Sequence, residues 1–194
     1  MLMPNTPNVL TVLRILLVPV LVVALLDKTH DGDTLAAIVF ALASLTDFID
    51  GRLARMRNSI TTFGKLMDPV ADKLLVIASL LALVSLHRVA AWVAMVIIAR
   101  EFAVTASRMA ATQAGVVIGA NRWGKAKTVV QVLTILALIA VSGRPVWVDG
   151  LVYLTVLVTV LSGIDYFFGL RRQLSQAEAQ ARGAQGSSAS AEPA

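Results

Sequence analysis

The sequence predicts an all-α integral membrane protein whose six transmembrane helices form one bundle. Of its 194 residues, 57% are hydrophobic and only 15% are charged, whereas about a quarter of a typical soluble domain is charged. The apolar residues gather into six stretches, and a spanning helix needs about 20 mostly apolar residues. The basic residues lie mainly between alternate stretches. Together these features indicate a chain that crosses a lipid bilayer repeatedly.

The six stretches are separated by short polar segments that serve as turns. The first follows Asn-Thr-Pro-Asn, where a polar side chain can cap a helix, and it contains Pro19. That proline predicts a kink, which packing inside a membrane bundle tolerates. No basic cluster and no cleavage site marks the first stretch as a secretory signal, so we expect a retained helix. The predicted spans are residues 9–26, 34–47, 68–86, 90–111, 123–141 and 148–170.

The last segment of the chain has a different composition from the spans. Residues 173–194 are rich in Ala, Gln, Ser and Gly and end in AQGSSASAEPA. Such a segment has little apolar surface to bury, which predicts disorder from about Arg182 onward. The sequence therefore predicts a six-helix membrane domain over residues 1–172 and a cytoplasmic, largely disordered tail over residues 173–194.

The distribution of positive charge predicts the orientation in the membrane. Thirteen of the 17 basic residues fall on the side that would hold both termini, and three fall on the other side. Cytoplasmic segments carry the excess of Lys and Arg in membrane proteins. We therefore expect a multi-pass protein of the cell membrane with both termini in the cytoplasm. The net charge of +5 then reflects topology and does not predict nucleic-acid binding.

One segment carries far more charge than its apolar flanks. Residues 47–73, DFIDGRLARMRNSITTFGKLMDPVADK, contain four aspartates. Asp47 and Asp50 are three residues apart, and Asp68 and Asp72 are four apart, so each pair lies on one face of its helix. A hairpin of the two helices would bring four carboxylates together. Anions at a membrane edge are costly to desolvate, so cations must compensate them.

Two explanations supply that compensation. The first uses salt bridges to nearby Arg and Lys side chains, with Asp68 at a helix N-terminus and Pro69 in its first turn. The second is a metal site. Ligation by carboxylates alone selects hard ions such as Mg²⁺ or Mn²⁺, and four carboxylates suffice for two ions, an arrangement suited to phosphoryl transfer. Helix ends do not explain Asp47 and Asp50, which are predicted at a C-terminal end that disfavours anions.

The spacing of this segment resembles a family signature. Its pattern D-x2-D-G-x2-A-R-x8-G-x3-D-x3-D, from Asp47 to Asp72, is similar to that of the CDP-alcohol phosphatidyltransferases. Members of that family have a six-helix membrane domain, and they replace CMP in a CDP-linked lipid or alcohol with a second alcohol. The resemblance covers nearly the whole chain apart from the tail. It implies an enzyme with this bundle fold, and it implies a homodimer.

The resemblance also implies roles for individual residues. Asp47, Asp50, Asp68 and Asp72 would bind two Mg²⁺ or Mn²⁺ ions, and Asp72 would also deprotonate the acceptor hydroxyl. The nucleotide part of the donor would be bound by residues of the same segment. These CDP-binding residues would be Asp47, Gly51, Ala54, Arg55, Thr61 and Gly64.

The acceptor is indicated by charges outside this segment. Arg100 and Arg108 are eight residues apart on the fourth span, about two helical turns, and so share a face. Lys125 and Lys127 begin the fifth span but would diverge on a regular helix. A pocket of these four cations suits an acceptor that carries its own phosphate, although binding of anionic lipid headgroups or membrane topology would also explain them.

Further segments resemble one branch of the family. NVLTVLRILLVP, IARE, GKAKT and SGIDYF are similar to enzymes that use CDP-diacylglycerol as donor and sn-glycerol 3-phosphate as acceptor, forming phosphatidylglycerol phosphate. Two alternatives share the chemistry: a cardiolipin synthase, whose acceptor is phosphatidylglycerol, and an enzyme that uses an inositol phosphate. A divalent cation transporter is a remote alternative, because intramembrane acids mark ion pathways. Glu101 is expected to pair with Arg100, Arg108 or Lys125 and orient the pocket.

Overall fold

Six helices follow one another along the chain, and no strand occurs in the part of the chain that the structure describes. The computed structural model describes residues 6–27, 30–57, 62–113, 122–141, 143 and 145–189, with side chains for 12–27, 31–46, 70–71, 73–113, 123–141, 143, 145–173 and 175. The helices are α1 (Thr6–Leu26), α2 (His30–Arg57), α3 (Thr62–Ser85), α4 (Ala91–Gln113), α5 (Arg122–Ala140) and α6 (Val146–Ala189). The predicted number and order of helices are confirmed.

Three helices extend well beyond the predicted spans. α2 ends at Arg57 instead of Asp47, α3 begins at Thr62 instead of Asp68, and α6 ends at Ala189 instead of Leu170. The predictions followed hydropathy, whereas a helix continues for as long as its backbone hydrogen bonds do. The end of α6 is rich in Ala, Gln, Glu and Arg, which favour helix. The structure therefore has helix where the sequence predicted disorder after Arg182.

Two helices meet the length and hydropathy of a membrane span along the described chain. The stretches are Trp123–Ala140 in α5 and Val146–Gln173 in α6, and shorter apolar stretches occur at Val12–Leu26 in α1 and Lys73–Ser85 in α3. Every helix also exposes large apolar side chains, such as Leu16 of α1, Leu42 of α2, Leu81 of α3 and Met95 of α4. Contiguous exposed apolar surface is typical of membrane contact.

The chain divides into two compact units. Unit 1 comprises residues 1–95 and 129–155, and unit 2 comprises residues 96–128 and 156–194. In unit 1, α1 packs against both α2 and α3. The fully buried side chains there include Leu21, Leu25, Phe40, Leu80 and Leu83. Small residues let helices approach closely in membrane proteins, and Ala36, Ala43 and Ala71 are buried in this packing.

The turn after α3 is a Schellman motif, which ends the helix and sets the backbone position of Arg88. The amide of Arg88 donates to the carbonyl of Leu83 at 2.8 Å, and that of His87 donates to Val84 at 3.0 Å. His87 takes the left-handed conformation, with φ 57°, that this motif requires at its C′ position. The motif places the Arg88 side chain beside the C-terminal end of α5.

Arg88 connects three helices of unit 1. Its guanidinium donates to Asp33 of α2 at 2.6 Å and to the carbonyl of Ile139 in α5 at 3.1 Å. The last carbonyls of a helix have no partner within the helix, and a cation there also complements the helix dipole. From the turn between α3 and α4, Arg88 therefore forms an ion pair with Asp33 of α2 and caps the C-terminal end of α5.

Candidate active site

The motif aspartates lie inside two long helices. Asp47 and Asp50 belong to α2, and Asp68 and Asp72 belong to α3. The described residues include the backbone of these positions but not their side chains, and Thr61 lies outside the described residues. The structure therefore gives the positions of the four aspartates along α2 and α3.

The positions of the aspartates along these helices differ from prediction. α2 continues for seven residues beyond Asp50, and Asp68 is the seventh residue of α3. The effect of a helix dipole on a charge falls off within the first turn. The proposed stabilisation of Asp68 by a helix N-terminus is therefore wrong, and so is the placement of Pro69 in a first turn. Helix ends account for none of the four acids.

The helical register places the α2 motif on the helix face that is buried in unit 1. The buried residues Ala36, Phe40 and Ala43 are spaced by four and three residues, the spacing of one helix face. The same alternation continues to Asp47, Asp50 and Ala54 along the unbroken helix. We call this set the α2 stripe. Its apolar half packs in the core of unit 1, and its other half carries two carboxylates.

A matching stripe runs along α3. Ala71, Leu75, Ser79 and Ala82 are buried, and at 3.6 residues per turn they share a face with Gly64, Asp68 and Asp72. We call this set the α3 stripe. In unit 1, α1 packs against both α2 and α3, the helices that carry the two stripes. The motif positions thus continue, by helical register, the same faces of α2 and α3 on which these buried residues lie.

The four aspartates would offer oxygen ligands alone. Mg²⁺ and Mn²⁺ prefer such ligands, and Mg²⁺ commonly shares its coordination with substrate phosphates. Among the side chains that the structure describes, no group of three His, Cys, Asp or Glu could hold a metal ion; the motif aspartates are outside that set. The chemistry of the donor set fits a divalent metal.

A second polar cluster belongs to unit 2. The Lys127 ammonium of α5 donates to Glu101 of α4, and the Arg100 guanidinium lies 3.6 Å from the same carboxylate oxygen. Arg100 also donates to the Ser162 hydroxyl of α6 at 3.1 Å. The side chains of Lys127, Glu101 and Arg100 are only 5%, 13% and 15% exposed. This cluster therefore joins three helices through charges that are largely shielded from solvent.

The other two cations of the predicted acceptor pocket are exposed. The Arg108 guanidinium lies 5.8 Å from the centre of the Tyr166 ring, within the range of a cation–π interaction. Lys125 is exposed, whereas Lys127 is buried. The two lysines diverge because a regular helix covers both positions. Arg100 and Arg108 share a face, as predicted, since both contact α6.

Sequence comparison identifies the family. Residues 4–161 match the family described as CDP-alcohol phosphatidyltransferase. The chain belongs to this family. The match covers α1 to α5 and the first part of α6, and it confirms the family that the motif predicts. The matched residues include both the α2 stripe and the α3 stripe.

Several curated members of the family are similar to this chain. A CDP-diacylglycerol–glycerol-3-phosphate 3-phosphatidyltransferase of Bacillus subtilis is 39% identical, over 84% of this chain and 93% of the relative. A protein of the same name from Rickettsia felis is 35% identical over the same shares. A probable phosphatidylglycerophosphate synthase of Mycobacterium tuberculosis is 40% identical over 84% of this chain and 79% of the relative.

The α6 side of the unit 2 cluster was not predicted from the sequence. Ser162 and Tyr166 contact Arg100 and Arg108, but they entered the prediction only as part of a segment typical of one branch of the family. A signal was present in the sequence. Thr155, Thr159, Ser162 and Tyr166 are spaced by three or four residues within an otherwise apolar helix, which marks one polar face.

Proposed function

We propose that this chain transfers the phosphatidyl group of CDP-diacylglycerol to sn-glycerol 3-phosphate, giving phosphatidylglycerol phosphate and CMP. The observation that carries the proposal is the pair of carboxylate stripes on α2 and α3 of a CDP-alcohol phosphatidyltransferase. The names of similar relatives state this donor and this acceptor. A membrane location suits a lipid donor and a lipid product.

The aspartates divide the chemistry between them. Asp47, Asp50, Asp68 and Asp72 would hold two Mg²⁺ or Mn²⁺ ions, which would supply positive charge to the reacting phosphate and to the acceptor oxygen. Asp72 accepts the proton of the acceptor hydroxyl. The acceptor oxygen forms a bond to the phosphorus of the phosphatidyl group as the bond from that phosphorus to the CMP oxygen breaks. CMP departs with the electron pair of the broken bond.

The remaining motif residues bind the nucleotide. Arg55 offers a planar guanidinium that suits a diphosphate. Gly51 lacks a Cβ and allows close approach of the donor to α2, and Ala54 and Gly64 leave room for the nucleotide. Thr61 supplies a hydroxyl. This set binds the part of the donor that leaves, so it contributes equally with every acceptor.

The same proposal includes the arrangement in the membrane. We propose that all six helices cross the bilayer, which is supported by the large apolar side chains that each helix exposes. The excess of basic residues places the motif and both termini in the cytoplasm of a cell membrane. Residues 1–172 form the catalytic domain, residues 173–194 form a cytoplasmic tail, and two copies assemble as a homodimer, as in the family.

A reaction with three acceptors tests the proposal. Purified protein with CDP-diacylglycerol and Mg²⁺ or Mn²⁺ is offered glycerol 3-phosphate, an inositol phosphate or phosphatidylglycerol. We expect CMP and a phosphorylated lipid with glycerol 3-phosphate, no turnover after chelation, and recovery when metal is restored. Preference for either other acceptor would replace the proposed acceptor, and metal uptake into vesicles without CMP release would indicate a transporter.

The acceptor's phosphate is expected to contact Arg108 and Lys125. Arg108→Ala should raise the KM for glycerol 3-phosphate by roughly 10- to 100-fold, because a charge-assisted hydrogen bond contributes about 1.5–3 kcal/mol. Steady-state kinetics should show a smaller rise for Lys125→Ala and an unchanged KM for CDP-diacylglycerol. Arg172→Ala removes an exposed cation of α6 as a control. An unchanged KM for glycerol 3-phosphate in both variants would place the phosphate elsewhere.

A further inference from the structure

The four cations predicted to form the acceptor pocket are of two kinds in unit 2. Lys127 is buried, Arg100 is half-buried, and both lie at the carboxylate of Glu101. Arg108 and Lys125 are exposed, and neither has a carboxylate partner among the described side chains. A phosphate in solution reaches exposed cations first, whereas a buried cation paired with a carboxylate must break that pair to bind another anion.

Glu101 is placed to hold its two cations rather than to meet a substrate. One of its oxygens accepts from the Lys127 ammonium and lies 3.6 Å from the Arg100 guanidinium. Charges in an interior of low dielectric are retained only when they are paired with good geometry. The carboxylate therefore connects α4 to α5 through Lys127, and Arg100 continues the connection to α6 through Ser162.

The packing around Arg100 supports a fixed position. A Cβ atom at Gly163 would lie 3.4 Å from the Cγ of Arg100, so the arginine stem already lies against the α6 backbone. One helical turn later on α6, Tyr166 lies beneath Arg108. Arg100 thus holds α4 against α6, and Arg108, the residue proposed to bind the phosphate, lies about two turns further along the same face of α4.

We infer that Glu101 is a positioning residue: its ion pair with Lys127 sets α4 against α5, so that Arg108 and Lys125 meet the phosphate of the acceptor. The inference rests on the proposed function and revises the predicted pocket. Lys127 and Arg100 become internal supports, and two cations bind the acceptor in place of four. Glu101 acts through helix placement and does not touch the substrate.

A double-mutant cycle on the full-length protein in detergent tests the inference. The four proteins are wild type, Glu101→Gln, Lys127→Met and the double variant, with Arg172→Met as a matched neutralisation of an exposed cation. The measurements are kcat, the KM for glycerol 3-phosphate, the KM for CDP-diacylglycerol and the thermal unfolding midpoint. The KM for the acceptor is the readout that a role confined to stability would not move.

Glu101→Gln leaves the buried Lys127 ammonium without its carboxylate, and Lys127→Met leaves Glu101 with Arg100 alone. The double variant removes both members of the Lys127–Glu101 pair, and Arg100 keeps its hydrogen bond to Ser162. We expect each single variant to raise the KM for glycerol 3-phosphate about tenfold, and the double variant to return within about threefold of wild type, because contacting residues couple strongly. The KM for CDP-diacylglycerol should stay within about twofold of wild type, because the residues proposed to bind the donor do not include Glu101 or Lys127. The unfolding midpoint should follow the same cycle.

Two outcomes overturn the inference. If Lys127→Met raises the KM for the acceptor equally with and without Glu101, then Lys127 contacts the phosphate itself. If the cycle couples in the unfolding midpoint but not in the KM, then Glu101 supports stability alone. Failure of the proposed function is seen separately, in the wild-type protein. If the wild type prefers another acceptor, the same cycle is measured with that acceptor. If the wild type is inactive with all three acceptors, both proposals are wrong.

Discussion

Asp72→Asn is expected to slow CMP release by at least about a thousandfold, because positioned acid–base catalysis alone contributes about 10²–10⁴-fold. The amide that replaces the carboxylate cannot accept the proton of the acceptor hydroxyl. It is also a weaker ligand for a divalent cation, since hard ions favour anionic oxygen. The change is nearly isosteric, so α3 should keep its packing through Ala71 and Leu75, which are both buried.

The measurement is CMP release at saturating metal, donor and acceptor, together with the thermal unfolding midpoint. Asp31→Asn is the matched control, because Asp31 is an exposed acid in the first turn of α2, outside the motif. We expect wild-type turnover from the control and an unchanged midpoint for both proteins. A turnover above about a tenth of wild type in Asp72→Asn would assign the base to another group, given the usual size of this effect.

Much of the candidate active site could be predicted because its information is local. The spacing within each aspartate pair fixes a shared helix face whatever the rest of the chain does. Hydropathy likewise predicted six helices in the correct order. What the local pattern does not contain is the continuation of the buried face. The structure adds that information, because Phe40 and Leu75 are buried and show which faces of α2 and α3 point into the core of unit 1.

Helix ends were predicted less well because hydropathy and helix formation respond to different forces. Transfer into lipid depends on side chains, whereas helix continuation depends on backbone hydrogen bonds and propensity. The segment from Gly51 to Arg57 is polar, yet Leu, Ala, Met and Arg favour helix, and α2 runs through it. The same reasoning explains the extension of α6 beyond Leu170.

Partners between helices were predicted least well. The sequence indicated that Glu101 would pair with a cation, but Arg100, Arg108 and Lys125 were the expected partners. The structure confirms Arg100 as a partner of Glu101, and it adds Lys127, which was not expected. The choice between Lys125 and Lys127 depends on the rotation of α5 about its axis, which is set by packing along its whole length and not by the residues near the charge.

Arg88 shows the same dependence on packing, at a position where the sequence indicated only a polar turn. Its guanidinium donates to Asp33 at 2.6 Å and to the carbonyl of Ile139 at 3.1 Å, with side-chain exposures of 30% for Arg88 and 15% for Asp33. Removing one member of a partly buried pair leaves the other charge without compensation. It also leaves the last carbonyls of α5 without their cap.

Arg88→Ala is therefore expected to lower the free energy of unfolding by about 2–4 kcal/mol, from the loss of a charge-assisted pair and a cap. Arg88→Lys should cost less, because an ammonium keeps the charge but not the planar fork. Thermal and denaturant unfolding in detergent measure both variants, with Arg172→Ala as the exposed-arginine control. Asp33→Asn combined with Arg88→Ala should add little to Arg88→Ala alone, because both changes remove one interaction. Equal unfolding midpoints for Arg88→Ala and Arg172→Ala would contradict this role, since the three helices would then be held together without the arginine.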